Sequence, residues 1–255
     1  MQTEQPANIT ALITGGTRRV GLATARAFAS ARANLILTTR DPRSDEAIRA
    51  KQELEGLGAR IELERLDPGV PDSIGSLAAR VAGRHASLDA LVHNASNYDP
   101  SPLETLTFSQ MSDAMNVNAF GPALLTQSLR RQLEASGHPG GAGVVAMVDM
   151  HILGRPRKDL LAYSMSKAAL AEAVRSLARE FAPKVRVNAV APGVVAWPEQ
   201  GSESGASFQR EYLSRVPLER AGTPADAAET VRWLALDARY TTGEIVRVDG
   251  GRWLA

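Results

Sequence analysis

Three side chains near the middle of the sequence have the types and spacing needed to move a proton. Asp149 ends an apolar run, Val144-Val145-Ala146-Met147-Val148; Tyr163 lies fourteen residues further on, and Lys167 four beyond that. Positions i and i+4 share one helix face, so the phenol and the ammonium can point into the same space. A cation beside a phenol favours the phenolate and lowers a pKa that is ordinarily about 10. The spacing therefore predicts Tyr163 as a proton donor near neutral pH, tuned by Lys167. A Tyr and a Lys at this distance also occur on ordinary helix surfaces. The elements around them must decide.

Those elements alternate. Apolar runs at Ile9–Thr14, Asn34–Thr39, Ile61–Leu66, Leu88–His93, Gly143–Val148, Val185–Ala191 and Glu244–Val248 read as strands. Between them, helical spacing covers Val20–Arg32, Ser44–Leu57, Asp72–Arg84, Phe108–Ala135 with a bend at Gly121-Pro122, Leu160–Phe181, Phe208–Arg215 and Pro224–Leu236. Strand–helix alternation predicts a doubly wound α/β domain with a parallel sheet. The strands lack clean polar alternation, as expected when both sheet faces are covered. The 255 residues contain no repeat and no linker-like stretch, so 1–255 reads as one domain. In such folds ligands bind beyond the carboxyl ends of the strands. Gly15, Arg40, Asp67, Asn94, Asp149 and Pro192 all fall there.

Composition removes several function classes. A net charge of +1 does not suggest a nucleic-acid or membrane-surface protein. Cys is absent, which excludes disulfides and thiol chemistry. His85, His93, His138 and His151 show no metal-ligand spacing, and no metal is expected; His151 reads as a loop residue. Met1–Asn8 has no apolar stretch typical of a leader, and no run approaches the ~20 residues of a membrane span, so the expected compartment is the cytoplasm.

Thr14-Gly15-Gly16-Thr17-Arg18-Arg19-Val20-Gly21 joins the first strand to the first helix. Glycines let the backbone approach a ligand, and a helix start offers free N–H groups to a pyrophosphate. Arg18 and Arg19 add positive charge there. The second strand ends on Arg40, which suits the 2′-phosphate of NADP better than the ribose hydroxyls of NAD. Asp41 follows and points the other way. The balance favours NADPH.

Taken together, Thr14-Gly15 through Gly21, Asp67, Asn94-Ala95, Asn118, Tyr163 through Lys167, Asn188, Pro192-Gly193 and Asp249-Gly250 resemble the short-chain dehydrogenase/reductase family over nearly the whole chain. The resemblance implies a Rossmann-type sheet of seven strands, a nicotinamide cofactor and a homotetramer. It implies Tyr163 as proton donor and Lys167 on the nicotinamide ribose. Asn118 would support Lys167 through a water, Asp67 would meet the adenine, and Asn94 the adenosine side. Thr17, Val20, Ala95, Ser96, Pro192, Gly193 and Val194 complete the implied cofactor contacts.

Two departures narrow the resemblance. The catalytic Ser thirteen residues before the Tyr is replaced: Met150 holds that position and Asp149 stands beside it. Arg19 takes the place of the middle glycine. Both features are similar to the pteridine and dihydromonapterin reductases, in which Asp replaces Ser and Arg follows Thr-Gly. There the resemblance implies that Tyr98 stacks on a pterin and that Ser96 contacts cofactor and substrate; Arg19, near the phosphates, is placed to reach the pterin's polar edge as well. Trp197 would line the pocket or pack within a substrate loop of about 194–215, whose Val194–Ser207 part reads as mobile. The Arg155-Pro156-Arg157-Lys158 cluster reads as a solvated loop. The expected activity is NADPH-dependent reduction of a pterin, with folate a further candidate; the alternative is a carbonyl reductase of the 3-oxoacyl-thioester type. Asp149 stands fourteen residues before Tyr163, one more than the thirteen of the resemblance. It requires one extra residue in the loop Ile152–Leu161; otherwise Met150 faces the site.

Overall fold

In a computed structural model the protein is described over residues 9–198 and 202–255. Met1–Asn8 and part of the expected mobile loop lie outside the described residues. Among the described residues seven parallel strands form one sheet in the order β3-β2-β1-β4-β5-β6-β7. They are β1 Thr10–Ile13, β2 Asn34–Thr39, β3 Arg60–Arg65, β4 Ala90–His93, β5 Ala142–Met147, β6 Val185–Pro192 and β7 Ile245–Val248. The doubly wound parallel sheet expected from the strand–helix alternation, with the seven Rossmann-type strands that the family resemblance implies, is the one observed. Neighbouring strand residues face opposite sides. Leu12 and Val144 enter the core beneath α3 (Pro71–Arg84), α5 (Gly121–Ser128) and α7 (Leu161–Phe181). Ile13 and Val145 enter the core beneath α1 (Arg19–Ser30), α2 (Asp45–Gly56) and α9 (Pro224–Arg232). Burial on both faces is why these strands carry apolar residues at consecutive positions.

Local chemistry sets the helix starts. The Ser44 hydroxyl accepts from the Ala47 N–H to begin α2, and Thr107–Gln110 and Thr223–Asp226 form capping boxes for α4 (Phe108–Met115) and α9. Pro71 opens α3, where its missing N–H removes no helical bond.

The single long helix expected over Phe108–Ala135 is divided. α4 passes into a π-helical turn at Asn116–Phe120, then α5, then a short α6 at Arg130–Glu134. The turn sits just before Gly121, whose added Cβ would lie 2.3 Å from the Pro68 carbonyl. Close packing on the β3–α3 loop thus requires glycine there. The wider turn carries Asn118 fully into the interior. The helix expected over Pro224–Leu236 likewise ends in a π-helical turn, Trp233–Asp237. Buried Arg186 donates to the Leu234, Ala235 and Ala238 carbonyls and satisfies that end.

Strand order reverses between β1 and β4: β2 and β3 are added on one side of β1, while β4 through β7 are added on the other. A crevice at the carboxyl ends of these two strands follows from that topology.

Candidate active site

The crevice is a cleft of about 860 Å³ that runs from Arg40 and Asp41 past the glycine turn to Tyr163, Arg157 and Glu203. Its floor is a knot between β1 and β4. The Thr14 hydroxyl donates to the Val92 carbonyl and accepts from the N–H groups of Asn94 (2.9 Å) and Ala95 (3.0 Å). The Asn94 side-chain amide donates to the carbonyls of Thr14 (3.0 Å) and Gly15 (3.1 Å). Both Asn94 donors are therefore spent on shaping the turn, and the residue contributes to the cleft by holding Gly15. Gly15 itself has φ +62°, and a Cβ on Gly21 would lie 2.0 Å from the Gly15 carbonyl. No side chain larger than hydrogen fits there.

α1 opens at this turn without a side-chain cap on its first N–H groups, and Arg18, Arg19, Val20 and Gly21 line the cleft. Uncapped helix donors facing a cleft suit a pyrophosphate. Thr17, almost fully buried, also lines the cleft. Arg19 holds φ +47°, a left-handed conformation that explains why glycine is common at this position. Its guanidinium donates to the Trp197 carbonyl at 3.1 Å and so links the glycine turn to the segment after β6.

Two residues expected at the cofactor, Asp67 and Pro192, are not among those lining the cleft. Leu66 and Pro68 line the cleft, but the Asp67 carboxylate between them turns back to accept from the Gly69 N–H. Gly193 and Val194 line it, whereas Pro192 ends β6.

At the other end the Tyr163 hydroxyl donates to Asp149 Oδ2 at 3.0 Å. Asp149 Oδ1 accepts from the His151 N–H at 2.7 Å. Met150 is fully buried. Asp149, and not Met150, faces the cleft. The loop to α7 begins with a short 3₁₀ turn, Met150–Leu153, followed by Gly154, whose φ is +128° and whose Cα faces Trp253.

α7 explains the placement of Tyr163 and Lys167. Tyr163, Ser166-Lys167, Leu170-Ala171 and Val174 form its buried stripe. Lys167 Nζ donates to the Met147 carbonyl at 2.6 Å and lies 5.8 Å from the Tyr163 ring centroid. Burial lowers the Lys167 pKa to about 8, against the pull of Asp149. The net direction for Tyr163 is opposite to the lowering expected beside Lys167. Burial, and then the Asp149 carboxylate, push the phenol well above its usual value. The phenol therefore holds its proton firmly across the neutral range.

Asn118 is also redirected. Its Oδ1 accepts from Ser96 Oγ (2.9 Å) and the Asn97 N–H (3.0 Å); its Nδ2 donates to the Asn97 carbonyl (3.2 Å) and Ser166 Oγ (2.9 Å). The side chain is saturated. It ties the segment after β4 to α7. The same bonds turn the Ser96 hydroxyl toward Asn118, while Ser96 still lines the cleft.

Tyr98 meets the Tyr163 ring edge-on, with centroids 4.8 Å apart. Its hydroxyl accepts from Arg157 Nη1 at 2.7 Å and lies 3.1 Å from each Glu203 carboxylate oxygen. Arg157 also forms an ion pair with Glu203. Arg157 is thus part of the cleft wall and not of a solvated loop. Nothing local in the sequence marks Arg157 or Glu203; they meet only because three loops converge. Trp197 moves in the opposite sense. Its ring packs edge-on against Tyr212 (5.5 Å) and Phe208 (6.4 Å) of α8 (Ala206–Leu213), and only its carbonyl reaches Arg19.

A family model described as enoyl-(acyl carrier protein) reductase matches residues 15–252. The chain belongs to the short-chain dehydrogenase/reductase family. Within this family, a dihydromonapterin reductase from Enterobacter sp. (strain 638) is 31% identical over 242 residues, covering 94% of this chain and 95% of the relative. A glucose 1-dehydrogenase from Gluconobacter oxydans (strain 621H) is 33% identical over 244 residues, covering 94% and 90%. A short-chain dehydrogenase from Burkholderia cenocepacia J2315, solved in complex with NADP, superposes with a TM-score of 0.87 at 27% identity, covering 98% and 99%. The chain is accordingly an oxidoreductase of this family.

Proposed function

We propose that the protein reduces a pterin with NADPH, taking a dihydropterin or an oxidised pterin to the tetrahydro form. The observation that carries this reading is the Asp149–Tyr163 hydrogen bond of 3.0 Å. A carboxylate bonded to the phenol, where most of the family has a serine, suits protonation of a ring nitrogen. The NADP complex of the Burkholderia relative and the dihydromonapterin reductase relative support the same assignment.

The residues present fit the cofactor. The uncapped start of α1 and Arg18 would hold its pyrophosphate, Arg40 its 2′-phosphate, and Gly193 and Val194 its nicotinamide end. Bound there, NADPH supplies the hydride. Tyr163 keeps its proton until the ring nitrogen takes it. Lys167 Nζ then meets the charge left on the phenolate oxygen, and Asp149 holds the phenol in line. Tyr98 walls the ring on the side of Tyr163.

A second reading, a carbonyl reductase of the 3-oxoacyl-thioester type, is favoured by the acyl-carrier wording of the matching family model. NADPH oxidation with dihydromonapterin or dihydrobiopterin, beside an acetoacetyl thioester, separates the two. We expect turnover of the pterin; turnover of the thioester alone overturns the proposal.

The same proposal includes a substrate loop of about 194–215 within a single domain, folate as a further substrate, a cytoplasmic location and a homotetramer. Among the described residues no helix is long and apolar enough to cross a membrane. Phe120, Leu124, Leu161 and Met165 are exposed on the π-helical turn, α5 and α7 and offer a face for a second copy.

A further inference from the structure

Arg157 and Glu203 meet in the wall of the cleft, 19% and 18% exposed at their side chains. They come from segments far apart in the chain, the loop before α7 and the short turn before α8. Withdrawing two charges from water costs several kcal/mol per ion, and a well-packed apolar pair in such a place is often equally stable or more so. Stability alone gives no reason for an ion pair here.

Its location gives one. The Tyr98 hydroxyl bridges the pair, and the centroid of the same ring lies 4.8 Å from that of the Tyr163 ring. The pair therefore stands about one aromatic ring away from the phenol that gives up the proton. A fused two-ring substrate with its reducible bond at Tyr163 would place its far edge at the pair. Neither charge is saturated by its partner. Arg157 has five N–H donors and uses Nη1 on Tyr98 and Nη2 on Glu203. The two Glu203 oxygens offer about four acceptor sites, and the single Tyr98 proton serves one of them. An anion would be repelled by Glu203 and a cation by Arg157, so the wall suits a neutral edge with donors and an acceptor side by side.

We propose that Arg157 and Glu203 determine substrate specificity by reading such an edge. Glu203 accepts from two adjacent N–H groups, and Arg157 donates to the neighbouring carbonyl oxygen. The 2-amino-4-oxo edge of a pterin has this pattern. The inference rests on the pterin reading and adds the residues that select for it.

The test uses the NADPH-loaded protein with 7,8-dihydropterin and its counterpart lacking the 2-amino group. The wild-type protein should lose about 10- to 100-fold in kcat/KM on the counterpart, the loss expected when a charged hydrogen-bonding partner is left unpaired. Glu203→Gln should raise KM for dihydropterin by a similar factor, hold kcat within about threefold, and respond little to removal of the 2-amino group. Glu203→Asp should recover part of the discrimination. NADPH affinity, read by nucleotide fluorescence, should match the wild type and confirms folding. Equal use of both substrates by the wild-type protein overturns the inference without any substitution. Equal losses on both substrates in Glu203→Gln also overturn it, leaving the pair as a closure of the cleft. In both cases the pterin function stands. If dihydropterin is neither bound nor reduced, that function falls, and this inference with it.

Discussion

At the scale of single residues, the site is organised by one hydrogen bond. Asp149 accepts from Tyr163 and, together with burial, raises the phenol's pKa. Asp149→Ala removes both the charge and the orientation. The expected result is a kcat lower by about 10²- to 10⁴-fold with unchanged NADPH affinity, and an earlier onset of the tyrosinate absorbance in a spectrophotometric titration. Lys167 sets the other pH dependence. Its pKa near 8 places loss of the ammonium close to the working range. The kcat/KM profile should fall on an alkaline limb near 8, and Lys167→Arg should remove that limb; a limb above 10 in the wild type would assign it to Tyr163. The sign for stability is opposite. The fold disfavours the Lys167 proton, so this group adds stability as pH rises from about 8 toward its ordinary value of 10.5. Denaturant titrations at the two ends of that window, on wild type and Lys167→Met, isolate the term.

At the scale of elements, two pieces of backbone do the positioning. The first is the glycine turn. A Cβ on Gly21 would meet the Gly15 carbonyl at 2.0 Å, and that contact is backbone, which has no rotamer to yield. Gly21→Ala should weaken NADPH binding by more than about tenfold in a fluorescence titration while the sheet remains folded. Arg19 shows the converse. Its φ of +47° costs roughly 1–2 kcal/mol that glycine avoids, so Arg19→Gly should raise thermal stability slightly while releasing Trp197 from the glycine turn. The second piece is the π-helical turn, Asn116–Phe120. It drives Asn118 inward, where four hydrogen bonds join the segment after β4 to α7.

At the scale of the whole molecule, the reversal of strand order opens the cleft, and three loops close its far end. Tyr98, Arg157 and Glu203 arrive there from unrelated parts of the chain. Tyr98→Ala should therefore impair pterin use far more than NADPH binding; unchanged pterin kinetics would remove Tyr98 from the substrate wall. The exposed apolar face of α5 and α7 bears on assembly. Light scattering coupled to size exclusion should report a tetramer, and Phe120→Asp should shift it to a smaller species. A wild-type monomer would remove the assembly proposal.

The seven strands, their parallel order and the surrounding helices were legible in sequence because each element carries its own periodicity and its own punctuation. The same is true of the Thr14–Gly21 turn and of the Tyr163–Lys167 pair, whose geometry is set within one turn of helix. Asp149 was legible as a residue type but not as a direction. Whether it or Met150 faced the cleft depended on how the loop to α7 absorbed one residue. The long helix over Phe108–Ala135 was misjudged at Asn118, because a π-helical turn arises from packing against Pro68 and has no local signature. Arg157 was misread as solvated for a related reason: its partners, Tyr98 and Glu203, reach it only through tertiary packing. By itself the sequence determined which groups could react and which strand ends would carry them. The tertiary structure alone decided which of those groups share a cleft and which are spent on holding it together, because hydrogen-bond capacity and burial are settled by neighbours distant in the chain.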